Sequence, residues 1–308
     1  MDESTKIPAD KVDALAKQLQ TSLQRRRPRP WLLVVAITLA AIGLLVLLAW
    51  WLYKPVAAPR LEVIALDVVA AVDESPRLVA QLALPDDDEQ SLSGIRGREC
   101  VFAIRGREDK AVSDADGQAT ASWPPFEKPG DELISVRYVD VRNKQGSADQ
   151  GRLFIWQRGT RVLLVDVPET LAQVKPEEWA AKHGADISAR ADAARALQAA
   201  DKGGYRVGYL AHTSSMLEYR KIRGWVGANR PATDRFPTGP VLPSADSVDL
   251  MERFGDVTVV VRTADAAKAA SSAGAHVIVL DPAVKLAGVR SVPGWSDVVP
   301  LLDKKLEE

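Results

Sequence analysis

The sequence predicts a multidomain protein with a single transmembrane helix, an all-β sandwich and a three-layer α/β domain, in that order. Three patterns predict it: an uncharged apolar run at residues 31–51, short alternating strands over 61–158, and strand–helix units over 159–308. With 308 residues, 46% of them apolar, the chain is long enough to bury more than one hydrophobic core.

Composition narrows the classes of function. The formal net charge is −1, which gives no general attraction to nucleic acid, so no nucleic-acid partner is expected. Cys100 is the single cysteine, which excludes an intrachain disulfide framework and a multi-thiolate metal site. The three histidines, His183, His212 and His276, are dispersed and lack the spacing of metal ligands.

The N-terminal region predicts a membrane anchor. Residues 1–30 form a tail, 31–53 a transmembrane helix flanked by Trp31 and Tyr53, and 54–60 a proline-containing linker. Four arginines within residues 25–29 precede the span, which by the positive-inside rule predicts a cytoplasmic N-terminus and extracytoplasmic C-terminal domains. The lipid bilayer is then a partner through residues 31–53. A cleaved signal peptide is the alternative, because Val-Ala-Ala follows the span.

Residues 61–158 have the pattern of a β-sandwich, either immunoglobulin-like or transthyretin-like. Apolar and polar residues alternate through Ile134, Val136 and Tyr138, and again through Cys100 and Phe102. Clusters of Gly, Asp and Pro separate these runs, as turns do between short strands.

Residues 159–308 alternate strands with helices, which predicts helices packed on both faces of a mainly parallel sheet. Ligands of such sheets bind at the carboxyl ends of the strands. Asp166, the segment 211–213 and the segment 262–265 each follow a buried apolar run. We therefore expect them to converge at one edge of the sheet.

Several motifs in this part resemble those of one known superfamily. Asp166 ends a buried strand and is followed by Val-Pro-Glu-Thr, which resembles the Asp-x-Asp-x-Thr motif of the haloacid dehalogenase-like (HAD) phosphatases. A Gly-Tyr-Leu-Ala-His-Thr stretch at 208–213 and a Phe-Pro-Thr-Gly-Pro-Val-Leu stretch at 236–242 resemble the motifs that come next in the lipin branch.

The resemblance implies site residues and also shows which of them are replaced. It assigns the nucleophile to Asp166, further site positions to Thr170 and Thr213, and metal ligation, with Mg²⁺ as the alternative to no cofactor, to Asp166 and Asp265. Pro168 stands where the family has its general acid. Ala211 and Val261 stand where the family has a phosphoryl-binding threonine and a metal-ligating acid. Because phosphoryl transfer depends on charge neutralisation and positioning, these losses predict little activity.

Two functions follow as alternatives. The first is a catalytically inactive HAD-like module that acts in binding or scaffolding, with a possible protein partner in the cell envelope. The second is a residual metal-dependent phosphatase with Asp166 as its nucleophile. A structural role for Asp166, capping a loop or pairing with Arg262, stays open beside both.

Overall fold

The computed structural model describes residues 9–25, 30–52, 61–85, 92–140, 145–213, 215–229, 236–243 and 246–304. The chain divides into two compact units, Met1–Ala58 and Pro59–Glu308. The predicted linker 54–60, the arginines at 26, 27 and 29 and the first eight residues of the predicted tail lie outside the described residues.

The first unit contains two helices, α1 (Ala9–Arg25) and α2 (Pro30–Leu52). A bilayer core of about 30 Å requires about 20 consecutive apolar residues in a helix. Within the residues that the structure describes, no helix reaches the combination of length and apolar character needed to cross a membrane. The predicted transmembrane helix at 31–53 and the single-pass localisation are therefore wrong.

Between residues 61 and 158 the described strands build two sheets around one apolar core. In the first sheet, β3 pairs with β1, β4 and β7. The second sheet has the strand order β2-β9-β8-β5-β6. Alternation along β5 and β8 turns Phe102 and Val136 into the core between the sheets, where they meet Leu78 and Leu82. The strands are β1 (Glu62–Ala65), β2 (Val68–Ala71), β3 (Arg77–Pro85), β4 (Leu92–Gly94), β5 (Glu99–Ile104), β6 (Arg107–Val112), β7 (Gln118–Ser122), β8 (Gly130–Asp140) and β9 (Gln145–Trp156).

The rest of the second unit is an α/β arrangement on a six-stranded parallel sheet of order β12-β11-β10-β13-β14-β15. Numbered from its own first strand, this order is 3-2-1-4-5-6, as in doubly wound sheets. The strands are β10 (Val162–Asp166), β11 (Arg206–Ala211), β12 (Val241–Pro243), β13 (Val257–Val261), β14 (His276–Val279) and β15 (Val289–Ser291).

Helices cover both faces of the parallel sheet. One apolar cluster joins Leu163 and Val165 of β10 to Leu197 and Trp225, and a second joins Leu164 to other helices through residues such as Phe254. The helices are α3 (Pro176–Ala181), α4 (Ala191–Lys202), α5 (Met216–Ala228), α6 (Asp246–Phe254), α7 (Ala264–Ser272) and α8 (Val298–Lys304). The fold class is therefore a mixed α/β structure with several sheets, without the membrane helix that was predicted.

The two parts of the second unit share their cores. Ile64 and Leu66, from the β1 region, belong to the cluster around α4 and α5. Trp156 of β9 packs against Phe254 of α6 with ring centroids 5.6 Å apart. Residues 59–308 consequently group as one compact unit, and separate domains at 61–158 and 159–308 stay a prediction.

Candidate functional site

The candidate site lies where the direction of winding changes in the parallel sheet. β10 is the first strand of the sheet in sequence; β11 follows on one side of it and β13 on the other. Loops that leave β10 and β13 therefore run in opposite directions and leave a crevice at the carboxyl ends of the strands. All five residues of β10 are buried, and Asp166, the last of them, lies at this edge of the sheet.

Asp166 is a buried carboxyl group. It is 2% exposed, and its Oδ1 has no hydrogen-bond partner within the described residues. Burial, together with the nearby carboxylates of Glu169 and Glu218, raises the pKa of Asp166 from 3.8 to about 8. The group is consequently protonated at neutral pH, whereas a carboxylate nucleophile must be ionised.

A single π-helical turn, Val167–Leu171, follows β10 directly. Thr170 is 1% exposed, and its hydroxyl donates a hydrogen bond to the carbonyl oxygen of Asp166. The indole Nε1 of Trp295 donates to the carbonyl oxygen of Thr170 at 3.0 Å. Pro168 occupies the first turn, where its missing N–H costs nothing. Thr170 therefore fixes the turn, and its hydroxyl hydrogen is engaged with the backbone.

Thr213 and Asp265 are engaged elsewhere. The Oγ1 of Thr213 accepts a hydrogen bond from the backbone N–H of Ser215 at 2.9 Å, which helps to start α5. Asp265, in the first turn of α7, has a side chain that is 98% exposed and lies 3.8 Å from the ammonium group of Lys268. The structure thus brings Thr170 to Asp166 but turns Asp265 into solvent.

These residues do not fit a bound Mg²⁺. Magnesium in proteins is held by ionised carboxylates in near-octahedral geometry. Of the two predicted ligands, Asp166 is buried at the strand end, whereas the side chain of Asp265 is 98% exposed and lies 3.8 Å from the ammonium group of Lys268. In the described part of the chain there is also no group of three or more His, Cys, Asp or Glu side chains able to hold a metal ion.

A crevice of about 690 Å³ opens beside this strand end, within the size range of small-molecule sites. Its walls come from the segment after β10, the loop after β13 and the loop after β14. Both signs of charge occur on them. The lining residues are Glu169, Gln173, Val174, Lys175, Glu178, Arg190, Arg262, Thr263, Ala264, Asp281 and Val284.

The segment 262–265 was expected at this edge from the sequence, whereas the other charged walls of the crevice were not predicted. Arg190 precedes α4, and its backbone N–H donates to the carbonyl of Leu171 at 2.9 Å while its Nε donates to the carbonyl of Ala172 at 3.2 Å. Glu169 lies inside the motif that was recognised, so its charge was a signal that could have been used. Arg190 carried no comparable signal, because its place depends on the folding of residues 172–189.

The comparisons with known proteins give distant likenesses. No protein-family model and no curated protein matches the chain. A D,D-heptose 1,7-bisphosphate phosphatase from Burkholderia thailandensis is 12% identical, with 48% of this chain and 99% of that one covered, at a TM-score of 0.37. A carbohydrate acetylesterase from Xanthomonas citri is 11% identical over 80% of this chain and 73% of that one, at 0.28. These TM-scores assign neither a family nor an activity.

Proposed function

We propose that the α/β part is a catalytically inactive HAD-like module that binds a small molecule in the crevice at the carboxyl ends of β10, β13 and β14. The ordered motifs around Asp166, residues 208–213 and residues 236–242 support the HAD-like part of the proposal. The observation that carries the inactivity is the loss of the groups around Asp166: Pro168, Ala211 and Val261 replace the general acid, the phosphoryl-binding hydroxyl and a metal-ligating acid.

The surroundings of Asp166 lack the groups that would activate it. Transfer of a phosphoryl group needs its charge neutralised and the nucleophile positioned in line. Pro168 has no proton to donate, Ala211 has no hydroxyl and Val261 has no carboxylate. Each missing group of this kind typically costs several kcal/mol of transition-state stabilisation. Asp265, the remaining acid of the set, faces solvent.

The crevice itself supports binding. It is concave, about 690 Å³ in volume, and carries charged groups on each of its walls. The π-helical turn contributes Glu169 to one wall and is held by the Thr170 and Trp295 hydrogen bonds. A backbone that is already hydrogen-bonded lowers the entropy cost of ordering the protein around a ligand.

The test is hydrolysis of p-nitrophenyl phosphate and of phosphatidate by the purified full chain, with and without magnesium, beside the Asp166→Asn variant. The proposal expects no turnover above that of the variant. Magnesium-dependent turnover by the native chain that disappears in Asp166→Asn would overturn it and show a residual phosphatase.

A further inference from the structure

The charges in the crevice are balanced. Its described lining carries the basic side chains Lys175, Arg190 and Arg262 and an equal number of acidic ones, Glu169, Glu178 and Asp281. The segment after β10 carries both signs, whereas the loops after β13 and β14 carry one sign each. The loops after β13 and β14 supply Arg262 and Asp281, while the segment after β10 supplies the glutamates together with Lys175.

This balance argues against a ligand of one sign. A phosphate or another simple anion in the crevice would meet the acidic groups Glu169 and Asp281 as well as Arg262, and the repulsion offsets part of the attraction. The same reasoning applies to a simple cation. A molecule that carries both charges meets an opposite charge at each end.

One contact and one buried oxygen atom show where the opposite charges lie. The Nη1 of Arg262 donates to the backbone carbonyl of Glu169 at 3.5 Å, so a guanidinium group borders the residue whose side chain is acidic. The Oε2 of Glu169 is buried and has no hydrogen-bond partner within the described residues. Glu169 itself lines the crevice, so its negative charge belongs to the same part of the crevice as the positive charge of Arg262.

We propose that the crevice binds a small zwitterion of the chemical class of amino acids and short peptides. Its carboxylate lies against Arg262 and Lys175, and its ammonium group lies against Glu169 and Asp281. This inference rests on the proposed function of the crevice as a binding site, and it replaces the phosphate ester that the HAD-like motifs suggest.

The experiment uses four forms of one dipeptide that differ only in their end groups. These are Ala-Ala, N-acetyl-Ala-Ala, Ala-Ala-amide and N-acetyl-Ala-Ala-amide, which at neutral pH are zwitterionic, anionic, cationic and neutral. Binding to the full chain is measured by isothermal titration calorimetry, with L-alanine and inorganic phosphate as further probes. Ala-Ala or L-alanine should bind, and removing either charge should weaken binding by about tenfold or more, since each end makes a charge-assisted hydrogen bond.

Variants locate the binding. Glu169→Gln should lower the affinity for Ala-Ala but not that for N-acetyl-Ala-Ala, and Arg262→Gln should lower it for Ala-Ala but not for Ala-Ala-amide. Asp265→Asn, on the exposed side of α7, is the matched control and should change neither. Circular dichroism establishes that each variant is folded.

The outcomes separate the two proposals. Equal binding of all four dipeptides, or binding of inorganic phosphate with none of the zwitterions, would overturn the zwitterion inference while leaving an inactive binding module in place. No binding by any probe would overturn the inference as well. Phosphatase turnover would instead overturn the proposed function, and it is read in the separate hydrolysis assay.

Discussion

The hydroxyl of Tyr219 joins the backbone of Asp67 to the backbone of Val241. It accepts a hydrogen bond from the Asp67 N–H at 3.0 Å and donates one to the Val241 carbonyl at 3.0 Å. The carboxylate of Asp67 completes the arrangement by accepting from the N–H of Val241 and of Arg152, both at 2.9 Å. One side chain of α5 thus ties the β1–β2 connection to the edge strand of the parallel sheet.

Tyr219→Phe should lower the free energy of unfolding of the chain by about 1–3 kcal/mol, because it leaves a buried N–H and a buried carbonyl without their partner. Urea denaturation followed by tryptophan fluorescence measures the change. Tyr205→Phe is the matched control: its hydroxyl donates to the Leu302 carbonyl at 3.4 Å, a longer bond, and its loss should cost less. An equal cost for both would contradict the special role of Tyr219.

Gly239 explains why the Pro-x-Gly-Pro motif needs its glycine. A Cβ at this position would lie 1.8 Å from the Val207 carbonyl oxygen. The segment approaches β11 closely because Tyr209 donates its N–H to the Pro240 carbonyl at 2.8 Å and its hydroxyl to the Pro237 carbonyl at 2.6 Å. The motif is thus required for packing against β11.

Gly239→Ala should therefore destabilise the chain by about 2 kcal/mol or more, since the backbone must move to admit the methyl group. Gly227→Ala tests the same substitution inside α5, where nothing lies within 4 Å of the new Cβ. That variant should be stabilised by about 0.5–1 kcal/mol through helix propensity. Thermal unfolding of the two variants should shift in opposite directions, and a shift of Gly239→Ala to higher temperature would refute the close approach.

The stability of the chain should fall with rising pH because of Asp166. The pKa of this carboxyl is raised from 3.8 to about 8 in the folded protein, so between these values the folded state holds a proton that the unfolded state has lost. The free energy of unfolding then decreases by up to about 1.4 kcal/mol per pH unit across that window. The stabilisation that comes from this bound proton is complete below pH 3.8 and is lost above about pH 8.

Asp166→Asn keeps the shape of the neutral acid and removes the titration. The difference in stability between native chain and variant, measured by urea denaturation from pH 4 to pH 9, should move in favour of the variant as the pH rises. A flat difference for Asp166→Asn would show that Asp166 is ionised in the folded protein.

Local sequence patterns anticipated many strands and helices but not how they are assembled. The alternation of Ile134, Val136 and Tyr138 matches β8, where all three are buried, because alternation is a local property of a strand facing a core. The short strand β12 and the helix α8 were not predicted; they are three and seven residues long, too short for a periodic signal. The anchor was predicted from an apolar run, its aromatic ends and the arginines before it, and the described helices do not meet the requirement for a span.

The candidate site, too, could be predicted from the sequence only in part. Asp166 could be found because a buried strand leads directly to it. The orientations of Thr213 and Asp265 could not, since each is set by a contact at a helix start, Ser215 for the former and Lys268 for the latter. A motif match fixes the position of a residue in the chain but not the direction of its side chain.

The carboxyl ¹³C chemical shift of Asp166, followed by NMR as a function of pH with and without magnesium, tests the central claim most directly. The account predicts a protonated group at neutral pH that titrates near pH 8 and is unchanged by magnesium. An Asp166 that is already ionised at pH 6, or whose pKa falls when magnesium is added, would contradict the inactive module and point to a working phosphoryl-transfer site.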